Sequence, residues 1–145
     1  MALPVCEVLL TEKALVLPAE SSPAETGAMV DFWGVVRETE NGAAIEGIDY
    51  EAHRAMAEHQ LRGVAEKAVR EFELRRIMVH HRIGFVPAGE PSLLVRVESR
   101  HRAAAFRASE WVVNELKKCA PIWKHPRFKA GQPQSPPAAA SASRA

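Results

Sequence analysis

The basic segment near the C-terminal end, Lys117–Lys129, is the stretch of this chain best suited to chemistry. It holds five Lys or Arg residues and no Asp or Glu, in a chain whose formal net charge is only +1. Pro121 and Pro126 stiffen its backbone, and Trp123 supplies an apolar anchor. A rigid basic loop of this kind suits the binding of an anionic small molecule. The alternative is a solvated basic surface after a helix C-terminus, where cations stabilise the helix dipole.

Three further residues could contribute to the same chemistry. His101 and Arg102 lie at a predicted strand-to-helix junction, where free backbone N–H groups attract phosphate or carboxylate. Arginine offers a fork for bidentate anion contacts, and histidine offers a titratable proton. Arg37 ends an apolar strand and therefore emerges at the rim of a sheet, where it could clamp a ligand. Each of these residues also has a structural interpretation, as a solvated surface group or the polar end of a strand.

Metal and thiol chemistry are less well supported. His80 and His81 are neighbours on a predicted strand, where adjacent side chains point to opposite faces and cannot easily chelate one ion. No Cys or acid at ligand spacing completes a zinc set, so we predict no metal site. Cys119 is favoured as a structural residue over a nucleophile, because the end of a helix disfavours the reactive thiolate. The sequence also has no glycine-rich phosphate-binding motif and no G-x-S-x-G.

Apolar periodicity predicts the elements that must position these residues. Alternation indicates a strand at 28–36, hairpin and turn signals indicate further strands at 45–53, 77–83 and 93–99, and another candidate lies at 5–10. Apolar residues at three- and four-residue steps indicate a helix at 56–73 and a second one from about 103 to just before Pro121. Asn41-Gly42 is a hairpin signal before the second strand, and the turn at 87–91 joins the third and fourth strands. This order predicts an α+β fold with two main helices on a mostly antiparallel sheet.

Length and composition set the domain organisation. The chain has 145 residues, of which 47% are hydrophobic and 26% charged, and this predicts one folded domain at 1–130. Residues 131–145 are mainly Ala, Ser and Pro, and we expect a disordered tail. The balanced charge and single Tyr argue against a nucleic-acid or membrane-surface binder. Two Cys residues, no signal peptide and no apolar run of membrane length indicate a reduced, cytoplasmic setting.

Five blocks of this sequence, in order, resemble the large, catalytic subunit of molybdopterin synthase. The blocks are 27–37 (GAMVDFWGVVR), 50–57 (YEAHRAMA), 81–90 (HRIGFVPAGE), 99–106 (SRHRAAAF) and 116–124 (LKKCAPIWK). The resemblance implies a hammerhead-type α/β fold and a homodimer of large subunits. It also implies a small ubiquitin-like subunit bound to each, which together make a heterotetramer. No cofactor is implied.

In that family the partner's C-terminal Gly-Gly tail carries a thiocarboxylate. Its sulfur is transferred to cyclic pyranopterin monophosphate to form the dithiolene of molybdopterin, a step of molybdenum cofactor biosynthesis. The resemblance implies that Lys117 and Lys124 are the catalytic residues of this sulfurtransferase. It also implies that the substrate is bound by these two lysines together with Val35, Val36, Arg37, His101, Arg102 and His125.

The resemblance sets chemical expectations for the pocket. Because the substrate and the partner's tail are both anionic, we expect cations and no carboxylates there. We assign Lys117 to proton transfer or a transient covalent link with the tail carbonyl, and Lys124 to binding the oxyanion and the substrate. After Lys124 the family usually continues with a charged pair that includes Glu, whereas this chain reads His125-Pro126-Arg127-Phe128. The alternative function is therefore a non-catalytic paralogue that binds a phosphorylated pterin or a ubiquitin-like tail.

Overall fold

The structure is a computed structural model that describes residues 5–19, 21–131 and 143–144. Its two helices are α1 (Arg54–Phe72) and α2 (Arg102–Cys119). Its strands, in chain order, are β1 (Cys6–Thr11), β2 (Ala28–Val35), β3 (Thr39–Glu40), β4 (Ala43–Ala52), β5 (Arg76–Arg82), β6 (Gly84–Pro87), β7 (Pro91–Ser99), β8 (Ile122–Phe128) and β9 (Ser143–Arg144).

Both predicted helices form, and local signals set their ends. The side chain of His53 caps α1, because its Nδ1 accepts a hydrogen bond from the backbone N–H of Met56 at 3.4 Å. The helix ends where Glu73 adopts the left-handed conformation, with φ of 52°. α2 ends ahead of Pro121, which cannot continue a helix. The apolar periodicity therefore predicted both helices to within a few residues.

The first sheet has the strand order β1-β5-β7-β2, and both helices pack against it. β1 and β5 run parallel, while β5 with β7 and β7 with β2 are antiparallel. The core lies between this sheet and the helices, where Ile77, Val79, Val95 and Val97 are fully buried. Burying such side chains contributes on the order of 1.5–3 kcal/mol each. The predicted α+β fold is confirmed, and the candidate strand near the N-terminus is β1.

The second sheet has the order β3-β4-β8-β9, and β6 pairs with residues Gly47–Tyr50 of β4. Asn41 and Gly42 both have positive φ, of 51° and 81°, and they close the hairpin between β3 and β4. This is the geometry that an Asn-Gly hairpin turn requires. The Asn-Gly hairpin joins β3 to β4 and does not join β2 to β4. The two long strands β2 and β4, although consecutive in the chain apart from short β3, lie in different sheets.

The prediction of a rigid basic loop after α2 was wrong over Ile122–Phe128, which is strand β8. β8 pairs antiparallel with β4, and Ile122 at its start is 1% exposed. Two prolines suggested a loop, but Pro121 precedes the strand. Pro126 lies inside the strand, opposite Ile48 of β4, so a proline in this segment did not exclude strand pairing.

The domain limits stay predictions. Residues 1–4, 20, 132–142 and 145 lie outside the described residues, and most of the predicted tail falls among them. Two residues of the predicted tail, Ser143–Arg144, form β9, which pairs antiparallel with Trp123 and Lys124. No helix in the described part of the chain is long and apolar enough to cross a membrane.

Candidate active site

A pocket of about 160 Å³ opens where the two sheets meet the C-terminal end of α2. Its polar lining residues are Arg37, Glu40, Tyr50, His81, Ser92, Lys117 and Lys124. Its apolar lining residues include Phe32, Val35, Val36, Ile48, Leu61, Leu93, Val113, Leu116, Ala120 and Ile122. Five residues of the predicted site therefore line one pocket, namely Val35, Val36, Arg37, Lys117 and Lys124.

The two predicted lysines reach this pocket from different elements. Lys117 is exposed and lies in the last turn of α2. Lys124 is the third residue of β8, directly opposite Tyr50 of β4 in the antiparallel ladder. Between them Ala120 and Ile122 are buried, which fixes the chain as it leaves the helix and enters the strand. The convergence of the two lysines therefore rests on the packing of the short connection between α2 and β8.

The loop after β2 brings Val36 and Arg37 to the same pocket. The register of β2 on β7 shifts between Gly34 and Val35. Beyond this irregularity the backbone N–H of Val36 donates to the carbonyl of Glu90 at 3.0 Å, and the Val36 carbonyl accepts from Gly89 at 2.8 Å. Val36 is buried and Arg37 is exposed, so the loop places an apolar wall beside a guanidinium at the pocket's rim.

The expectation that no carboxylate lines the pocket was wrong, because Glu40 lies there. The carboxylate Oε1 of Glu40 is 3.6 Å from the ammonium Nζ of Lys124. Both side chains are largely shielded, with exposed fractions of 19% for Glu40 and 24% for Lys124. For Lys117, by contrast, the described residues show no ion pair. The two lysines thus differ in electrostatic surroundings although they share a pocket.

Three buried polar residues on the pocket wall, Tyr50, His81 and Ser92, were not predicted as site residues. Burial raises the pKa of the Tyr50 hydroxyl, an effect opposed by a hydrogen bond with Ser92. Burial lowers the pKa of His81 to about 4, so its ring is neutral near pH 7. The Nδ1–H of His81 donates to the carbonyl of Arg82 at 2.8 Å, and its ring meets Tyr50 edge-on at 5.3 Å. Tyr50 and His81 both lie in blocks that carry the family resemblance, and this was the signal available for them.

His101 and Arg102 do not line this pocket. Both are exposed at the N-terminal end of α2, where His101 borders a separate polar depression with Arg75 and Arg100. Sixteen residues of helix separate His101 from Lys117, which corresponds to about 24 Å along the axis at roughly 1.5 Å per residue. Within one chain, His101 and Arg102 therefore lie far from the pocket that the two lysines line.

His125 also lies away from the pocket. Neighbouring residues on a strand point to opposite faces, so Lys124 lines the pocket while His125 faces the other side of β8. There the ring Nε2 of His125 is 3.1 Å from the carboxylate of Glu51. A role for His125 in binding the substrate stays a prediction.

His80 and His81 point to different surroundings, as adjacent strand residues should. The Nε2 of His80 is 2.6 Å from a carboxylate oxygen of Glu7 on β1, whereas His81 lines the pocket. Within the described residues, no group of three His, Cys, Asp or Glu side chains is placed to hold a metal ion. Cys119, which was considered as a nucleophile, is half-buried at the end of α2.

In this α+β chain, two lysines and an arginine converge on a partly apolar pocket, an arrangement that suits the binding of a small anionic molecule. Comparison with known proteins specifies the family. The profile of the MoaE protein family matches residues 10–119, which is most of the chain. The chain therefore belongs to the MoaE family.

Named relatives agree with this assignment. The molybdopterin synthase catalytic subunit of Pyrococcus abyssi is 38% identical over 113 residues, covering 78% of this chain and 74% of that protein. The subunit of the same name in Aspergillus fumigatus is 39% identical, covering 77% of this chain but 58% of the longer fungal protein. The chain thus spans somewhat more than half of the fungal relative.

Solved structures show the same fold. The molybdopterin synthase of Staphylococcus aureus superimposes with a TM-score of 0.75 at 27% identity, covering 93% of this chain and all of that one. A complex of subunits 1 and 2 of the Helicobacter pylori molybdopterin-converting factor gives a TM-score of 0.65 at 19% identity, with 92% of each chain covered. The second match supports the fold alone.

Proposed function

We propose that this chain is the catalytic subunit of a molybdopterin synthase. It transfers sulfur from the thiocarboxylated C-terminus of a small ubiquitin-like subunit to cyclic pyranopterin monophosphate. The observation that carries the proposal is the convergence of Lys117, Lys124 and Arg37 on one pocket in a chain of the MoaE family. A phosphorylated substrate and a thiocarboxylate tail both need such cations.

The different surroundings of the two lysines support different roles for them. In each transfer the C–S bond to the tail carbonyl breaks and a C–S bond to the substrate forms, while an oxygen from water or from the substrate replaces the sulfur, so that the thiocarboxylate becomes a carboxylate. Lys117 is exposed and has no ion pair within the described residues, which suits proton transfer or a transient bond to the tail carbonyl. Lys124 is shielded and held by Glu40, which suits a fixed positive charge beside the developing oxyanion.

The remaining pocket residues bind the substrate. Arg37 at the rim offers two parallel N–H donors to a phosphate. Val35 and Val36 form an apolar wall on the same side. The buried Tyr50 and the neutral His81 make a polar wall without charge, which fits the uncharged part of a pterin ring.

His101 and Arg102 act on the pocket of a second copy of the chain, within a homodimer. They retain their substrate-binding role under this arrangement, although about 24 Å of helix separates His101 from Lys117 in one chain. The small subunits complete a heterotetramer. A cytoplasmic location is part of the same proposal, and a chain with only two cysteines, Cys6 and Cys119, which form no disulfide with each other, supports a reducing compartment.

The decisive experiment is turnover with defined components. The chain is mixed with a thiocarboxylated small subunit and cyclic pyranopterin monophosphate, and the dithiolene-bearing pterin is quantified. Lys117→Ala should abolish product, whereas Lys118→Ala should retain it, because Lys118 pairs with Glu115 outside the pocket. Binding of the small subunit without any product would support the non-catalytic paralogue instead.

Mixed dimers test the assignment of His101 and Arg102. A Lys117→Ala chain is mixed with a chain that carries His101→Ala and Arg102→Ala, each inactive alone. In a two-fold symmetric dimer, random mixing restores about a quarter of wild-type activity if the sites are shared between chains. If each chain supplies its own complete site, the mixture stays inactive.

A further inference from the structure

The ion pair between Glu40 and Lys124 is unexpected in a site built for anions. Glu40 is the one carboxylate that lines the pocket among the described residues, and it shares the pocket with the cations Arg37, Lys117 and Lys124. A carboxylate there repels an anionic substrate and lowers its affinity. A residue that weakens binding in this way suggests a compensating role in another part of the reaction.

The backbone around Glu40 holds its carboxylate in place. Glu40 ends β3 and pairs with Ala43 across the Asn41-Gly42 turn. Both turn residues adopt positive φ, a conformation that the Asn-Gly pair favours over other sequences. The short hairpin therefore holds the backbone of Glu40 in place while its side chain reaches Lys124 of β8. The negative charge of Glu40 also contributes to raising the pKa of Tyr50, after the larger effect of burial.

Lys124 needs such a partner for a physical reason. A lysine side chain has four rotatable bonds, and holding it in one conformation costs up to about 2 kcal/mol of rotamer entropy. Within β8, Ile122–Phe128, the sequence has no acid that could hold the ammonium. The carboxylate at 3.6 Å comes from the neighbouring hairpin instead.

We propose that Glu40 is a positioning residue for Lys124. It holds the ammonium group toward the pocket before the substrate arrives, and this raises the rate of the chemical step at some expense of substrate affinity. The inference rests on the proposed function, because Lys124 is taken to bind the developing oxyanion and the substrate during sulfur transfer. A partly shielded pair of this kind is worth little for folding, so its effect belongs in kinetics rather than stability.

Steady-state kinetics of Glu40→Gln test the proposal, with Glu38→Gln as the matched control. Glu38 is an exposed acid two residues away and does not line the pocket. For Glu40→Gln we expect kcat to fall by about three- to tenfold, since misplaced catalytic groups are costly. We expect KM for the anionic pterin to fall by about two- to fivefold, since a repulsive charge has gone. Glu38→Gln should change neither constant.

Glu40→Asp separates loss of the carboxylate from damage to the hairpin. The shorter acid keeps the charge, so it should recover part of the lost kcat. A fall in kcat accompanied by a rise in KM, or no rescue by Asp, would overturn the proposal, because either indicates a merely structural role.

Lysine labelling tests the pair without relying on turnover. Wild-type and Glu40→Gln chains are acetylated for a short time, and labelling of each lysine is measured by mass spectrometry. Lys124 should be labelled about two- to fivefold faster in Glu40→Gln, relative to Lys67, which lies over the Trp111 ring away from the pocket. If the wild-type chain makes no product, the proposed function fails while labelling still decides the role of Glu40. Equal labelling of Lys124 in both chains would refute the inference.

Discussion

Acidification should destabilise this chain through His81, and the size of the effect follows from the structure. His81 is 6% exposed, and burial lowers its pKa to about 4 from an ordinary 6.5. Between these two pH values His81 binds a proton in the unfolded chain but stays neutral in the folded chain. Stability is therefore fully present above pH 6.5 and is lost as the pH falls toward 4. At about 1.4 kcal/mol per pH unit, the loss due to His81 reaches roughly 2 kcal/mol at pH 5.

Urea denaturation at pH 7.5 and pH 5 measures this loss, with His81→Asn as the reference. Asparagine can keep the hydrogen bond to the Arg82 carbonyl that Nδ1–H of His81 makes, but it has no charge to gain. Other titrating groups are common to both proteins, so the difference between them isolates His81. Wild type should lose about 2 kcal/mol more than the variant on going to pH 5.

Two results would refute this reasoning. One is an equal loss of stability in wild type and His81→Asn. The other is an NMR titration in which the His81 ring of the folded protein gains its proton near pH 6.5. Either result would mean that the pocket wall around Tyr50 and His81 is wetter than the structure shows, and the uncharged wall proposed for the pterin ring would be lost with it.

Two further predictions concern the scaffold around the site, and both are measured by denaturant or thermal unfolding. Glu98→Ala removes the carboxylate that pairs with buried Arg76, and it should lower the free energy of unfolding by about 3–5 kcal/mol. A loss below about 1 kcal/mol would show that the pair is solvated. Gly47→Ala places a Cβ in steric conflict with the Val86 carbonyl oxygen and should destabilise the chain by about 1–3 kcal/mol. Its control, Gly63→Ala, meets nothing within 4 Å in α1 and should stabilise the chain by up to about 1 kcal/mol; similar changes in both variants would contradict the steric argument.

The sequence was most informative where one element buries a continuous face. Leu61 and Val112 belong to helical stripes that are buried as the periodicity predicted. The central strands β5 and β7 were likewise predicted, because a clear turn signal at 87–91 lies between two apolar segments, and both strands are buried along nearly their whole length. Burial against the helices makes the pattern strong enough to read from a single sequence.

The second sheet was harder to predict because its strands carry weaker signals. β6 is only four residues long, Gly84–Pro87, and contains a glycine and a proline. β8 has only Ile122 fully buried, and its other residues are basic, aromatic or proline. Such a strand is defined by pairing with β4, which is a long-range contact that local patterns do not encode.

The pocket residues show the same division. Lys117 and Lys124 could be identified from the resemblance and from the concentration of cations, whereas Glu40 had no signal of its own within a turn-like segment. The separation of His101 from Lys117 could have been calculated in advance, because sixteen helical residues span about 24 Å. A predicted helix therefore limits which residues can share a site, even before the tertiary structure is known.

The departure from the family pattern after Lys124 leaves the lysine itself in place. A slip of one residue in the pairing of β8 with β4 would turn Lys124 away from the pocket and bring His125 in, so the register decides the chemistry. Upstream, the buried Ile122 fixes this register. Downstream, the guanidinium of Arg127 lies 2.9 Å from Asp49 of β4, a contact consistent with the same register. The chain lacks the family's charged pair after Lys124, and the carboxylate that accompanies Lys124 comes instead from Glu40 on the adjacent hairpin.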